Sequence, residues 1–243
     1  MQEGVPMTEG WPESAEAWVA SLGERGDFGR VFVLDGPMLE RVRGRGFARA
    51  LDVGCGEGRF CRMLAELGIR AVGIDPTRAL LEEARRRDPG GDYRSGRAEQ
   101  LAFPDAAFDL VVSYLTLIDI PDAAAAIAEM ARVLRPGGTL LIANLNSFST
   151  AGLPDSWQPD ASGQLRYAID NYLEERAIWV SWRGIRIRNW HRPLSTYMGL
   201  LIENGLTLKH FAEPAPHGGP TETADRYRRV PYFHIMEWEK PTA

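Results

Sequence analysis

Cysteine is scarce in this sequence, and Cys55 and Cys61 are the only two among its 243 residues. Neither their number nor their spacing fits a disulfide framework or a zinc site, so no metal is expected. The first residues, Met1–Gly4, lack the basic and apolar regions of a secretory signal. No apolar run reaches the ~18 to 20 residues that span a bilayer. The sequence therefore predicts a cytoplasmic protein without a membrane partner.

Positive charge is also scarce. The chain has 28 Lys and Arg against 33 Asp and Glu, a formal net charge of −5, and its arginines fall in short local groups such as Arg85–Arg87. An enzyme that grips nucleic acid needs a basic surface to replace phosphate counterions, so we expect no nucleic-acid partner. A chain of this length with 44% hydrophobic residues suits one large α/β domain, alone or with a cap.

Strand-like and helix-like segments alternate between residues 49 and 146. The expected strands are 50–53, 70–74, 93–98, 108–115 and 139–144, and the expected helices are 60–67, 77–87 and 122–134. Such alternation implies right-handed crossovers and a parallel sheet with both faces covered. The apolar runs Leu110–Val112 and Leu140–Ala143 are typical of its central, buried strands.

This alternation stops after residue 146. Residues 147–163 are rich in Ser, Pro, Asp and Gly and predict a loop. Residues 176–182 and 185–190 are expected to pair as a hairpin. The predicted organisation is a helical N-terminal cap at 1–40 and a main domain at 41–243, in which 147–194 is an inserted lid that binds the acceptor.

Glycines stand at positions 54, 56 and 58, directly after the first expected strand and before the first expected helix. Glycine at such positions lets the backbone turn tightly and come close to a ligand. Asp75 lies at the end of the next strand. Strand ends beside a topological switch point form the ligand crevice of such sheets, and a carboxylate there can accept hydrogen bonds from both hydroxyls of a ribose.

Two ligand classes share this design, and the spacing separates them. A dinucleotide-binding loop reads G-x-G-x-x-G and receives a pyrophosphate at a helix N-terminus. Counted from Gly54, the last position of that pattern is Arg59, and the acidic Asp52 precedes the loop. S-adenosylmethionine (SAM) has no pyrophosphate but carries an ammonium and a sulfonium, so an acid beside the loop favours SAM. A glycine-rich turn without a ligand is the alternative.

The segment Asp52–Gly58 resembles the first motif of class I SAM-dependent methyltransferases. Asp75 matches the acid that this family places on the ribose. Further similar segments are Gly96–Pro104 beside the adenine, Phe108–Ser113 as the fourth strand, and Leu134–Gly138 as the turn before the fifth. The similarity covers residues 48–146 and is greatest to enzymes of the ubiquinone/menaquinone type. It implies a doubly wound, mostly parallel, seven-stranded sheet of the Rossmann-like methyltransferase fold, with SAM as the cofactor.

The resemblance also implies which residues bind the cofactor. They are Asp52, Gly54, Cys55, Gly56, Asp75, Pro76, Ala98, Glu99, Ser113 and Tyr114. The glycines are expected against the methionine part of SAM, Ala98 and Glu99 near the adenine, and Ser113 and Tyr114 near the sulfonium. Enzymes that methylate the amino groups of nucleic-acid bases or of glutamine carry Asn/Asp-Pro-Pro-Tyr/Phe there. The tetrapeptide Ser113–Thr116 departs from that pattern.

Three residues are candidates for catalysis: His191, Tyr114 and Asp119. His191 ends the expected hairpin, and a histidine pKa of about 6.5 suits proton removal at neutral pH. A packing or surface histidine is the alternative reading. Asp119 can reach the acceptor or cap the following helix. A base is optional, because orientation of the reacting atoms alone accelerates methyl transfer.

The cap and the lid are rich in aromatic residues. The tryptophans outside the core motifs are Trp11, Trp18, Trp157, Trp179, Trp182 and Trp190. We expect them either to wall a pocket for a planar or apolar acceptor or to pack on the sheet. Arg30 and Arg192 are candidates to pair with a substrate carboxylate, with ordinary surface ion pairs as the alternative.

These observations predict an enzyme that transfers a methyl group from SAM to O, N or C of a small, aromatic or apolar molecule. Its assembly, with a homodimer as one expectation, is not fixed by the sequence. The main alternative is a SAM-binding sensor or partner subunit that transfers nothing, because binding and chemistry use different residues. A nicotinamide-dependent dehydrogenase is disfavoured by Arg59.

Overall fold

The computed structural model describes residues 9–242 as a seven-stranded sheet with flanking helices and two small hairpins. The helices are α1 (Trp11–Leu22), α2 (Asp35–Glu40), α3 (Arg59–Glu66), α4 (Arg78–Arg87), α5 (Ala123–Val133), α6 (Ser147–Ala151), α7 (Leu194–Glu203) and α8 (Thr221–Arg229). A π-helical turn, Arg30–Leu34, leads into α2. The strands are β1 (Arg49–Val53), β2 (Arg70–Asp75), β3 (Asp92–Ser95), β4 (Phe108–Tyr114), β5 (Leu134–Leu145), β6 (Trp157–Pro159), β7 (Leu165–Tyr167), β8 (Arg176–Trp182), β9 (Ile185–His191), β10 (Thr207–Ala212) and β11 (Phe233–Glu239).

The main sheet has the strand order β10-β11-β5-β4-β1-β2-β3. Strands β1 to β5 run parallel to one another, and β11 lies antiparallel between β5 and β10. The chain proceeds from β1 toward one edge and then returns to start β4 on the other side of β1. The carboxyl ends of β1 and β4 therefore form a switch-point crevice. The predicted doubly wound, mostly parallel, seven-stranded sheet is confirmed.

The central strands are apolar because helices cover both faces of the sheet. Every residue of β4 is buried. On one face, Val111 and Ile142 belong to the cluster packed under α5 and α7. On the other face, Leu110 and Leu141 pack with the cap and α3. This packing fixes the positions of the strand ends at which the site is built.

The described part of the N-terminal cap consists of α1, the π-helical turn and α2, and residues 1–8 of the predicted cap lie outside the described residues. Strand β9 holds α1 through polar contacts. The Ser14 hydroxyl donates to the Arg186 carbonyl at 3.0 Å and accepts from the Arg186 amide at 2.9 Å. The Glu9 carboxylate accepts two hydrogen bonds from the Arg188 guanidinium, at 2.6 and 2.7 Å. The cap and the segment after β5 are thus joined to each other.

The predicted hairpin is confirmed, since β8 and β9 pair antiparallel around Arg183–Gly184. A second hairpin, β6–β7, and α6 precede it. Sequence reasoning missed α8, whose sequence carries mostly charged and polar side chains and buries only Ala224. Within residues 9–242, no helix combines the length and apolar character needed to cross a membrane.

Candidate active site

A cavity of about 320 Å³ opens at the carboxyl ends of the central strands. Its floor is the glycine loop after β1, the end of β2 and the loop after β4, and its roof is the cap. All of the cofactor residues predicted from the sequence line this cavity except Ser113. The structure therefore brings residues from four separate stretches of the chain to one place.

The loop after β1 depends on two glycines for different reasons. Gly54 has φ +76°, and a Cβ there would lie 2.2 Å from the Cγ2 atom of Thr116, so no side chain fits. The Thr116 hydroxyl also donates to the Gly54 carbonyl at 3.3 Å. Gly56, at φ +55°, has no atom within 4 Å of where a Cβ would stand. Its backbone is therefore exposed to the cavity. Sequence reasoning missed Thr116.

Asp75 is fixed at the end of β2 by backbone amides. Its two carboxylate oxygens accept hydrogen bonds from the Gly56 amide at 3.0 Å and from the Thr77 amide at 2.8 Å. Burial raises the pKa of Asp75 above its ordinary value, and these two hydrogen bonds oppose that rise. Each carboxylate oxygen can accept more than one hydrogen bond. Asp75 can thus still accept hydroxyl donors from the cavity.

Asp52 is a buried acid with an unsatisfied oxygen. Its Oδ2 atom accepts a weak hydrogen bond from the Cys61 thiol at 3.4 Å, while Oδ1 has no partner in the described part of the chain. Burial raises the pKa of Asp52 to about 7, and the Cys61 bond only partly opposes this. A cation brought into the cavity would stabilise the ionised carboxylate.

Arg59 joins the glycine loop to the cap. Its guanidinium donates to both carboxylate oxygens of Asp35, at 2.8 and 2.5 Å. The Nε atom donates to the Arg25 carbonyl at 2.9 Å. The sequence identified Arg59 only as a missing glycine of the dinucleotide pattern. The structure shows that the side chain at this position holds the roof of the cavity.

Tyr114 and Ser113 lie on opposite faces of β4. The Tyr114 ring lines the cavity, and its hydroxyl donates to Asp35 at 2.8 Å. Burial and the neighbouring Asp35 carboxylate raise its pKa well above the ordinary value. Ser113 is fully buried on the other face of β4 and is absent from the lining. The expectation that Ser113 lies near the sulfonium is therefore wrong, because alternate residues of a strand face opposite ways.

The adenine segment lies at the other end of the cavity. Ala98 is buried and Glu99 half-buried, and both line the cavity together with Pro76 and Leu80. Glu99 accepts a hydrogen bond from exposed Arg97 at 2.8 Å. This end of the cavity therefore combines apolar surface with a carboxylate at its edge, which suits a planar base with polar edges.

Asp119 also lines the cavity. Its Oδ1 atom accepts a hydrogen bond at 2.5 Å from the amide of Asn189, which β9 carries. Burial raises the pKa of Asp119 well above its ordinary value. The capping alternative is wrong, because Asp122 caps α5 by accepting from the Ala125 amide at 2.9 Å.

His191 is fully buried and does not line the cavity. Its Nε2 atom lies 2.8 Å from the Tyr172 carbonyl, and its Nδ1 atom 2.7 Å from the Thr150 hydroxyl. A carbonyl can only accept, so Nε2 carries the hydrogen and the Thr150 hydroxyl donates to Nδ1. Burial lowers the pKa of His191. With both nitrogens engaged inside the protein, this placement corrects the assignment of His191 as the base and favours the packing alternative.

Arg192 is directed away from any ligand as well. Its guanidinium donates to the Ile120 carbonyl at 2.8 Å, the Pro121 carbonyl at 2.6 Å and the Leu117 carbonyl at 3.3 Å. The expectation that Arg192 pairs with a substrate carboxylate is therefore wrong. Arg192 instead holds the loop that carries Asp119. Nothing local in the sequence signals this role, since the contacts join residues more than 70 positions apart.

The cap supplies the aromatic part of the lining. Of the tryptophans outside the core motifs, Trp11 and Trp18 line the cavity, and the others do not. Trp18 packs edge-on against Trp11, with ring centroids 5.0 Å apart. Arg30 lies in the same wall. The aromatic wall is therefore built by α1, and the tryptophans of the hairpins pack elsewhere.

The residues present fit SAM. Asp52 offers an unsatisfied buried oxygen for a cation, and Asp75 is held in place to accept ribose hydroxyls. The space above Gly56 admits a ligand close to the backbone. A pyrophosphate would meet Asp52 and Asp75 instead of a basic group, which agrees with the exclusion of a dinucleotide.

Comparison with known proteins agrees with this geometry. A family model described as a methyltransferase domain matches residues 51–142. A malonyl-[acyl-carrier protein] O-methyltransferase from Serratia marcescens is 38% identical over 58% of this chain and 57% of its own length. A demethylmenaquinone methyltransferase from Beutenbergia cavernae is 34% identical over 62% of this chain and 72% of its own length.

Solved structures show the same architecture. A SAM-dependent methyltransferase from Mesorhizobium loti superposes with a TM-score of 0.78 at 26% identity, covering 89% of this chain and 100% of that one. The chain spans little more than half the length of the Serratia relative.

Proposed function

The chain belongs to the class I SAM-dependent methyltransferases, and we propose that it methylates a small molecule held between the cofactor and the cap. One observation carries the proposal. A single cavity contains the cofactor groups Gly56 and Asp75 at one end and the cap residue Trp18 with Asp119 at the other. A pure SAM sensor needs only the first set of groups.

SAM, when bound, supplies a methyl group attached to a positively charged sulfur. The protein's contribution is to orient the acceptor, and alignment of reacting atoms is worth about 7 to 11 kcal/mol. Asp75 and the glycine loop fix one side of the cavity. The loop that carries Asp119 is fixed by Arg192 and Asn189. Both sides of the reaction space are therefore held in place by hydrogen bonds within the protein.

Asp119 is the residue that we assign to contact the acceptor. Its Oδ1 atom is held by Asn189, and the carboxyl lines the cavity. Because burial raises its pKa, the carboxyl can accept or share the proton of a hydroxyl or amine. Tyr114 is less suited to that part, since its hydroxyl is engaged by Asp35.

The acceptor that fits this wall is aromatic or apolar. Trp11 and Trp18 present ring surface to the cavity, and such rings bury planar, apolar ligands well. The name of the Beutenbergia relative, a demethylmenaquinone methyltransferase, agrees with an acceptor of this kind. The enclosed cavity and the net charge of −5 favour a small molecule over nucleic acid.

The test is production of S-adenosylhomocysteine (SAH) from SAM in the presence of aromatic acceptors, measured by mass spectrometry. We expect turnover with at least one planar hydroxyl or amine compound and none with Asp75→Ala. Retention of SAM without SAH formation across the whole panel would favour the sensor instead.

Asp119→Asn is the matched test of the acceptor contact. It keeps the shape and the hydrogen bond from Asn189 by rotation of its amide, but it cannot take a proton. We expect a loss in kcat of about 100-fold or more if Asp119 accepts a proton, with SAH affinity unchanged. A kcat within a factor of two of the parent would remove Asp119 from the reaction.

A further inference from the structure

Three arginines line the cavity, and Arg30 differs from the other two. Arg59 is engaged by the cap through both guanidinium nitrogens and Nε. Arg97 is exposed and pairs with its neighbour Glu99. In the described part of the chain, the Arg30 side chain donates only through Nη1, to Asp27 at 2.7 Å. Its Nε and Nη2 atoms have no partner there.

Aromatic rings hold the Arg30 guanidinium. Its central carbon lies 5.0 Å from the Trp18 ring centroid and 5.8 Å from the Tyr114 ring centroid. The side chain is 12% exposed, while that of Asp27 is 40% exposed. Rings beside a guanidinium restrict its motion and reduce the water around it. The charge therefore acts more strongly on a ligand inside the cavity than on the solvated Asp27.

The atoms left without partners form one edge of the guanidinium. Asp27 occupies Nη1, so Nε and Nη2 remain side by side. That edge matches a carboxylate, which accepts two parallel hydrogen bonds from it. Arg30 also lowers the pKa of Asp119. The guanidinium is therefore within electrostatic reach of the part of the cavity assigned to the acceptor.

We propose that Arg30 is a carboxylate receptor of this cavity, binding a ligand carboxylate through Nε and Nη2. The identity of the ligand rests on the proposed function. Two ligands offer that chemistry there, the methionyl end of the cofactor and an acidic acceptor. In both cases the cap, which carries Arg30, becomes part of ligand recognition.

Calorimetry on Arg30→Gln separates the two sources. The first ligand pair is SAH and 5′-methylthioadenosine, which lacks the amino acid end. The second is a set of aromatic carboxylates and their carboxamides, titrated into the SAH-saturated protein. If the cofactor supplies the carboxylate, SAH affinity falls about tenfold or more while methylthioadenosine affinity stays unchanged. If the acceptor supplies it, both adenosine ligands bind as before, and the preference for carboxylate over carboxamide disappears.

Two further variants make the result specific. Asp27→Asn removes the internal competitor and should strengthen carboxylate binding about two- to fivefold. Arg97→Gln, at the adenine end, should leave the carboxylate preference as in the parent. The proposal is overturned if Arg30→Gln changes neither pair, or if it weakens methylthioadenosine as much as SAH, which marks a structural role. If the unaltered protein does not bind SAM or SAH at all, the proposed function fails instead.

Discussion

At the glycine loop, polar groups face the cavity, whereas in the lid, groups of the same kind face inward and hold the protein together. Asp52 keeps a buried oxygen without a protein partner. Arg192, in contrast, spends its donors on three carbonyls of the loop after β4, and His191 has both ring nitrogens engaged. A polar residue near a cavity is thus a ligand group only where the protein leaves it unsatisfied.

The two regions also differ in the distance along the chain that their contacts bridge. Asp75 reaches Gly56 across 19 positions, within one strand–helix–strand unit. Arg192 reaches Ile120 across 72 positions, and Asn189 reaches Asp119 across 70. The cofactor end is therefore assembled by local topology, and the acceptor end by long-range packing. Four experiments sharpen or break this contrast.

The largest effect is expected at Arg192. Arg192→Met should lower the free energy of unfolding by about 3 kcal/mol or more, because each buried carbonyl without a donor costs ~1 to 3 kcal/mol. Urea unfolding measures this loss. Arg186→Met is the control, since that exposed guanidinium lies on the Trp179 ring and should cost about 0.5 to 1 kcal/mol. Equal losses in the two variants would contradict the clamp.

The next largest effect is expected at Asp75. Asp75→Ala should weaken SAH binding about 30- to 100-fold, because charge-assisted hydrogen bonds to ribose are lost and the loop amides are released. Calorimetry measures the affinity. Asp92→Ala removes an exposed carboxylate of the neighbouring strand, paired with Arg94, and should leave the affinity as it is. A fall of less than threefold for Asp75→Ala would place the ribose elsewhere.

A smaller effect follows from the titration of Asp52, whose pKa burial raises to about 7. Below that pH the carboxyl is mostly protonated and neutral, and above it the ionised form attracts the ligand ammonium. SAH affinity should therefore rise about tenfold from pH 6 to pH 8. Asp52→Asn should bind SAH more weakly at pH 8 and with a flat pH profile. A parent profile that is flat, or that falls with pH, would contradict the ionised contact.

The smallest effect on catalysis is expected at His191. His191→Gln should keep turnover within about threefold of the parent from pH 6 to pH 9, whereas loss of a general base costs at least ~100-fold. It should lower the free energy of unfolding by about 1 kcal/mol, since one of two buried hydrogen bonds is lost. A loss of kcat with a displaced pH profile would restore His191 as the base and break the contrast.

The sequence predicted the sheet and most of the cofactor end because both follow from local rules. Strand, glycine turn, helix and acidic strand end occur in order, and Gly54, Gly56 and Asp75 lie where that order places them. Ser113 failed because strand residues alternate between faces, and one position decides which face a residue takes. Thr116, in the loop beyond β4, was the neighbour of Gly54 instead.

The lid was predictable as a segment but not as a set of contacts. The hairpin around Arg183–Gly184 follows from turn residues between apolar runs. The partners of His191, Arg192 and Asn189 do not, because they depend on how the hairpin docks on a distant loop. A histidine in a promising place and a histidine satisfied by a threonine look alike in sequence.

The lid also has a consequence for engineering. Residues 147–191 leave the sheet after β5 and return just before α7, so the segment is a natural unit of exchange between related enzymes. A chimera would need to keep Asn189 and Arg192, which determine where the loop after β4 stands. It would also need Arg188, which ties α1 to the hairpin. With those side chains retained, the remainder of the segment is open to recombination and selection for new acceptors.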